Sequence, residues 1–220
     1  MKISKQNILV IGDTHLPFEL DGYLEFCKAT YKKYRCNKVI HIGDVIDSHA
    51  SSFHDSDPDG FSAIDEIDLA IEKLKKWYKA FPEMDVCIGN HDRIAARKVF
   101  KSGLSKIWLR DLNEVLKVPQ WSFRTSFEYN GVLYIHGEGV TARTKVLRTG
   151  MSVVQGHRHI EAYVWLHAFE DGAKFGMQVG TGIDNDAYAF AYGKDYPNPV
   201  LSCGVVLDNG KTPIIVPMLN

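Results

Sequence analysis

Five times along this chain a short apolar run stops at a small cluster of carboxylate, amide or imidazole side chains. Lys38-Val39-Ile40-His41-Ile42 ends in Gly43-Asp44, with a second carboxylate at Asp47. Asn7–Ile11 ends in Gly12-Asp13-Thr14-His15, and Met84–Ile88 ends in Gly89-Asn90-His91-Asp92. Val132–Ile135 runs into His136-Gly137, and Ser152-Val153-Val154 leads to Gly156-His157-Arg158-His159. Runs so short and so continuously apolar predict strands buried on both faces. Open α/β sheets place their chemistry in the crevice at the carboxyl ends of such strands. Glycine precedes the ligand-type residues in four clusters (Gly12, Gly43, Gly89 and Gly156), which predicts sharp turns and close backbone approach to a bound ion or phosphate. A single Gly-Asp turn is commonplace, whereas five clusters demand a fold that gathers five strand ends.

The segments between the runs supply the other layer. Residues 18–35 and 61–81 carry apolar stripes of helical period, the second including Ile64, Ile67, Ile71, Leu74, Trp77 and Tyr78 with Pro82 beyond its end. Residues 93–116 predict two helical pieces broken at Gly103, and Thr141–Arg148 a short helix stopped by Gly150. Asn130-Gly131 between apolar runs at 123–129 and 132–135 signals a hairpin, as does Asn209-Gly210. Further strands are expected at 160–169, 174–179, 200–207 and 211–218, and long loops at 48–60 and 181–199. A βαβα front half, a central hairpin and terminal strands predict an α/β fold with two sheets face to face and helices outside. At 220 residues, a single domain over 1–220 is the expectation.

Charge excludes one class of partner. With 26 basic against 27 acidic residues, the chain is not basic all over as many non-specific DNA binders are, although a local basic groove stays open. Cys27, Cys36, Cys87 and Cys203 form no C-x-x-C pair and predict reduced, buried thiols. The first residues lack the apolar core of a signal peptide, and no run is long enough to span a bilayer, so the expected location is cytoplasmic, with no membrane partner.

Imidazole and carboxylate together favour divalent transition metals (Mn, Fe, Co, Ni or Zn) over calcium or magnesium. A carboxylate can bridge two ions, and Asp44 is the expected bridge. Two such ions, with Asp13, Asp44 and a bridging hydroxide, would keep a net positive charge suited to a phosphate ester. Ions roughly 3.5–4 Å apart can hold both the attacking and the leaving oxygen of an in-line displacement.

In order, the motifs D-x-H, G-D-x-x-D, G-N-H-D, H-G and G-H-x-H resemble those of the calcineurin-like metallophosphoesterases, from Asp13 to His159. The resemblance implies a four-layer α/β/β/α sandwich with two mixed sheets and a binuclear centre, with Mn²⁺ the foremost metal. It implies Asp13, His15 and His159 as ligands of the first ion, Asp44 as the bridge, and Asn90, His136 and His157 as ligands of the second. His91 resembles the catalytic histidine that assists the leaving oxygen, and Asp47 the carboxylate that orients it; a carboxylate on one imidazole nitrogen fixes the tautomer and raises basicity at the other. The chain lacks the D-R-G and G-N-H-E of the Ser/Thr phosphatases and their phage relatives. It shares G-N-H-D with repair nucleases and cyclic-nucleotide phosphodiesterases, but little room follows residue 160 for the DNA-capping domain that the repair nucleases usually carry.

The expected activity is therefore hydrolysis of phosphate mono- or diesters, of nucleotide type, by in-line attack of a metal-activated hydroxide. A repair-type DNA or RNA nuclease and a metal-stabilised, non-enzymatic binding module are the alternatives. Arg93, two residues from His91, is the expected phosphate clamp, since arginine grips phosphate in a bidentate fork. Arg97, Lys98 and Lys101, with Arg143, Lys145 and Arg148, read as solvated helix faces, with a nucleic-acid groove as the functional alternative. His41 is expected in the core beside the centre, and His167 in a structural role. His49, His54, Asp55 and Asp57 belong to a polar loop, and 184–192 to either a substrate lid or a packed insertion.

Overall fold

Alternation along the first strand explains the layering. In the computed structural model, which describes residues 5–52, 60–187 and 197–219, β1 (Ile8–Ile11) sends Ile8 and Val10 to one side and Leu9 and Ile11 to the other. Both sides are dry, so the strand is apolar throughout. Ile8 and Val10 join Ile40, Ile42 and Cys87 in a core shared with Phe127, Tyr134, Val154 and Met177 of a second sheet. Leu9 and Ile11 join Tyr23, Cys27, Leu74 and Trp77 in a core beneath the helices.

The remaining elements follow in chain order as α1 (Tyr23–Lys33), β2 (Lys38–His41), α2 (Ala63–Ala80), β3 (Met84–Cys87), α3 (Ile94–Lys101) and α4 (Leu112–Val115). Then come β4 (Trp121–Arg124), β5 (Ser126–Tyr129), β6 (Val132–Ile135), α5 (Ala142–Thr149) and β7 (Ser152–Gln155). β8 (Tyr163–Phe169), β9 (Gly172–Gln178), β10 (Ser202–Leu207) and β11 (Thr212–Pro217) complete the set. One sheet has the order β11-β10-β1-β2-β3-β4 and the other β5-β6-β7-β9-β8. β1 to β4 are parallel, as are β6, β7 and β9, while β10, β11, β5 and β8 run antiparallel to their neighbours. Helices α1 and α2 cover the outer face of the first sheet. α5 covers the second, pressed so closely that a Cβ on Gly176 would meet the Ala142 backbone. The architecture is the expected α/β/β/α sandwich of two mixed sheets.

Local differences have physical causes. The run at 123–129 is not one strand: β4 pairs with β3 in the first sheet, β5 with β6 in the second, and the chain crosses between them at Thr125. Local sequence does not record this crossing, because both halves are edge strands of similar composition. The helix expected from residue 18 starts at Tyr23; Phe18 and Leu20 donate their amides to His15 and Gly182, and Gly22 at φ 91° cannot continue a helix. In α2, Ile64 is 64% exposed and Glu66 is buried instead, accepting the amides of His49 and Ala50. The Asn130-Gly131 hairpin forms as expected, with both residues at positive φ. All four cysteines are buried and free. No helix among the described residues is long and apolar enough to cross a membrane.

Candidate metal centre

Parallel pairing brings the clusters to one edge. β1, β2 and β3 deliver Asp13, Asp44 and Asn90 from the first sheet, and β6 and β7 deliver His136 and His157 from the second. His136 Nε2 lies 3.1 Å from Asp44 Oδ2, 2.9 Å from Asn90 Oδ1 and 3.2 Å from His157 Nδ1. His159 Nε2 lies 3.1 Å from Asp13 Oδ2, and His15 Nε2 3.6 Å from Asp44 Oδ2. Three overlapping groups have ligand atoms within 4.8 Å of one another: Asp13, His15 and His159; His15, Asp44 and His91; Asp44, His136 and His157. Asp44 and His15 each belong to two groups, which makes the assembly a continuous chain of donors.

The donor set fits a cation. His136 Nδ1 faces the Ile42 carbonyl at 3.1 Å. A carbonyl only accepts, so Nδ1 carries a proton, and with an ion bound Nε2 would be free to turn a lone pair towards the space it shares with Asp44, Asn90 and His157. Lone pairs meeting in this way repel unless a positive charge lies among them. The Oδ1 atom of Asp13 is buried without a hydrogen-bond partner among the described residues. Charge balance gives the same answer. Burial opposes charging of the imidazoles, yet Asp44 and then Asp13 hold His136 up to about 9, and Asp47 and Asp44 hold His91 up to about 10. Burial likewise works against the Asp44 carboxylate, but His136, His91 and His15 keep it well below the usual carboxylate range.

Asp47 does not serve His91 alone. Its Oδ1 is 2.6 Å from His15 Nδ1 and 3.2 Å from His91 Nδ1, while its backbone carbonyl takes the His91 Nδ1 proton at 2.6 Å. The carboxylate thus orients His15, and carboxylate and carbonyl together orient His91. The His91 amide also donates to Asp44 Oδ1 at 2.8 Å.

The glycines act differently from the sequence-based expectation. Of the four, only Gly43 adopts a left-handed conformation, at φ 108°; the other left-handed residues at this edge include His15 (φ 44°), Asp44 (φ 51°), Ser48 (φ 55°) and His157 (φ 71°). Such non-glycine conformations cost of order 1–3 kcal/mol each and cluster at functional sites. Gly89 and Gly156 instead make room. A Cβ on Gly89 would overlap the Asp44 carboxylate, and one on Gly156 the Asp13 carboxylate. Each glycine vacates space for the acid of a different strand.

Some contributors carry weaker signals in sequence. Asp92 is buried and accepts the amides of Asp44 and Gly89 on one oxygen and of Val45 and Ile46 on the other. It ties the second and third turns together; burial and the nearby Asp44 raise its carboxyl to about 6. Gln155 donates to the Val140 carbonyl and to Gln178, which in turn donates to Gly156, bracing the last two turns. Polar residues closing apolar strands were the available clue to both. His41 lies where expected, beside the centre: it bonds Thr14 and the Gly43 amide, and burial lowers it to about 4.

Arg93 reaches the rim but pairs there with Glu138, two residues beyond His136. Arg143 is drawn away from the centre, stacked over Trp165 on the outer face of the second sheet. His167 stacks on Trp165 and meets Phe169 edge-on on that same surface. His54, Asp55, Asp57 and residues 188–192 of the 184–192 segment, expected as a lid or a packed insertion, lie outside the described residues. A cleft of about 200 Å³ opens beside His157 and His159, walled by Ile160, Ile183 and Pro197.

Comparison with known proteins places this arrangement. No curated protein matches the chain. Among solved structures, an archaeal phosphodiesterase aligns with a TM-score of 0.53 and 15% identity, over 97% of this chain and 100% of that one. A metallophosphoesterase from Sphaerobacter thermophilus aligns with a TM-score of 0.49 and 15% identity, over 98% and 88% of the two chains. Vacuolar Protein Sorting 29 from Cryptosporidium parvum aligns with a TM-score of 0.48 and 16% identity, over 96% and 89%. At these identities the likeness is one of fold. The family model for calcineurin-like phosphoesterases matches residues 6–179, which include all five strand-end clusters, and this chain belongs to that family.

Proposed function

We propose that this protein is a binuclear metal-dependent hydrolase of phosphate mono- or diesters. The convergence of Asp44 Oδ2, Asn90 Oδ1 and His157 Nδ1 on His136 Nε2 is the observation that supports it most directly. Asp13, His15 and His159 would hold one divalent ion and Asn90, His136 and His157 the other, with Asp44 shared between them. Mn²⁺ leads the candidates, since the set mixes imidazole nitrogen with carboxylate and amide oxygen. When bound, two such ions would supply an activated water and neutralise phosphoryl oxygens.

The chain's own residues do the rest. Asp13 and Asp44 offset part of the ionic charge, and Asn90 contributes an oxygen without adding a negative one. Asp47 fixes the His15 ring through Nδ1, leaving Nε2 to face the centre. His91, its Nδ1 held by the Asp47 carbonyl, presents Nε2 to the departing oxygen and donates its proton there. Arg93 stands at the rim as a phosphate ligand, its guanidinium kept in place by Glu138. The ester classes implied by the family resemblance are nucleotides, cyclic nucleotides and nucleic acids.

Protein loaded with Mn²⁺ should hydrolyse bis(p-nitrophenyl) phosphate. Chelation should abolish the rate and lower the melting temperature. His91→Ala should reduce kcat by about 10²–10⁴-fold with metal content unchanged. Full metal occupancy without turnover of any ester would instead favour the binding-module reading.

A further inference from the structure

Behind the turns that carry Asp47 and His91 lies a second cavity, of about 440 Å³, between α2, α3 and α4. Its walls are apolar: Ile67, Ala70, Ile88, Ala96, Leu112 and Val115. The metal-site residues themselves do not line the cavity; Arg93 does, and it also reaches the rim to pair with Glu138. Ser48, Asp92 and Arg93 all line it, and they are the immediate or next neighbours in sequence of Asp47 and His91. The side chain of Arg93 is 39% exposed and Arg110 is exposed, so their guanidinium groups mark the mouth. The Nε atom of Arg93 has no hydrogen-bond partner among the described residues. Trp108 forms an apolar lip, 77% exposed.

The polar groups inside are already committed. Both Glu66 oxygens accept amides, from His49 at 2.7 Å and Ala50 at 2.8 Å. Both Asp92 oxygens accept amides from the neighbouring turns. No carboxylate is left to read the edge of a nucleobase, and two serine hydroxyls are the remaining neutral polar side chains on the wall. The volume falls within the range of small-molecule sites, and an apolar wall with charge confined to the mouth selects an apolar group tethered to an anion.

We propose that this cavity binds the apolar portion, alkyl or aryl, of a phosphate ester whose phosphate lies at the metal centre with Arg93 between the two. The proposal rests on the phosphoesterase reading and names the substrate class for it: phosphate esters of hydrophobic alcohols rather than nucleotides.

The test is a titration of the full chain, loaded with Mn²⁺, with n-alkylphosphonates from methyl to octyl, followed calorimetrically. These are phosphate mimics that cannot be hydrolysed. The dissociation constant should fall by about fourfold for each added methylene until the cavity is full, the factor expected for burial of one CH₂. Ala96→Phe, which fills the cavity, should reduce the octyl-to-methyl affinity ratio by at least about tenfold. Leu112→Ala, which removes wall, should reduce it in the same direction. Because the readout is a ratio, a loss of folded protein does not imitate it. Methylphosphonate binding with no dependence on chain length would overturn the cavity assignment and leave the phosphoesterase reading intact. Failure of methylphosphonate to bind, together with no ester hydrolysis, would overturn that reading and the assignment with it.

Discussion

At the amino edge of the six-stranded sheet a cavity of about 960 Å³ is lined by charged residues that include Lys28, Lys32, Lys38, Glu83 and Asp85. At the carboxyl edge the cleft beside His157 and His159 measures about 200 Å³. The larger space is chemically quiet. Asp85 Oδ2 takes Lys38 Nζ at 2.6 Å and the Tyr129 hydroxyl at 2.6 Å, so its charge is answered within the protein. At the carboxyl edge the Asp13 and Asp44 carboxylates are fully buried, imidazoles crowd against them, and several residues are held in left-handed conformations. Size does not distinguish the edges; the buried Asp13 oxygen left without a hydrogen-bond partner among the described residues does. A site that stabilises itself has nothing left for a ligand, whereas one that leaves buried oxygens short of a partner is stabilised when a cation arrives.

Four substitutions test this contrast. The largest effect should come from Asp44→Asn, which keeps the shape and removes the shared charge: loss of one of the two bound ions by metal analysis, and a fall in kcat of about 10³-fold. Unchanged metal stoichiometry in that variant would remove Asp44 from the bridging position. Next, Gly89→Ala drives a methyl group into the Asp44 carboxylate. A displacement of about 1 Å can cost 10²-fold in rate, and a loss of about that size is expected, measurable as kcat at saturating Mn²⁺. A fully active Gly89→Ala protein would mean that the carboxylate has slack which the geometry denies.

At the other edge the expectation reverses. Asp85→Ala leaves Lys38 and the Tyr129 hydroxyl without their partner, and should cost about 1–3 kcal/mol in urea unfolding while leaving kcat unchanged. The last effect concerns pH. His41 is held down to about 4 in the folded chain, against 6.5 when solvated. Between these values the unfolded chain binds the proton and the folded one does not, so His41 makes stability rise with pH across that window. The stability is fully present above about 6.5 and is lost as pH falls towards 4. In chelator-treated protein, His41→Asn should therefore flatten the acid limb of stability by up to about 1.4 kcal/mol per pH unit. An unchanged slope would show that other groups carry the acid sensitivity of this edge.

Legibility followed physical range. The β1, β2 and β3 strands were readable because burial on both faces forces a continuous apolar run, and each run ends where the turn begins. The seven expected ligands were readable because ligand chemistry restricts residue type, and the structure does bring all seven together. Asp92 was harder to read, since its work is to accept three backbone amides from another turn and one from its own, and backbone amides leave no mark in sequence. Glu138, the partner of Arg93, is likewise an ordinary loop residue until β6 brings it to the rim.

Sequence alone determined where the five cluster-bearing strands run and which chemically apt residues stand at their ends, because strand burial and ligand type are properties of single short segments. Tertiary structure decided what lies between the segments: the crossing from β4 to β5, the room that Gly89 and Gly156 leave for acids of other strands, and the apolar cavity behind His91. Each of these is a relation between residues distant in the chain, and only packing brings their atoms close enough to interact.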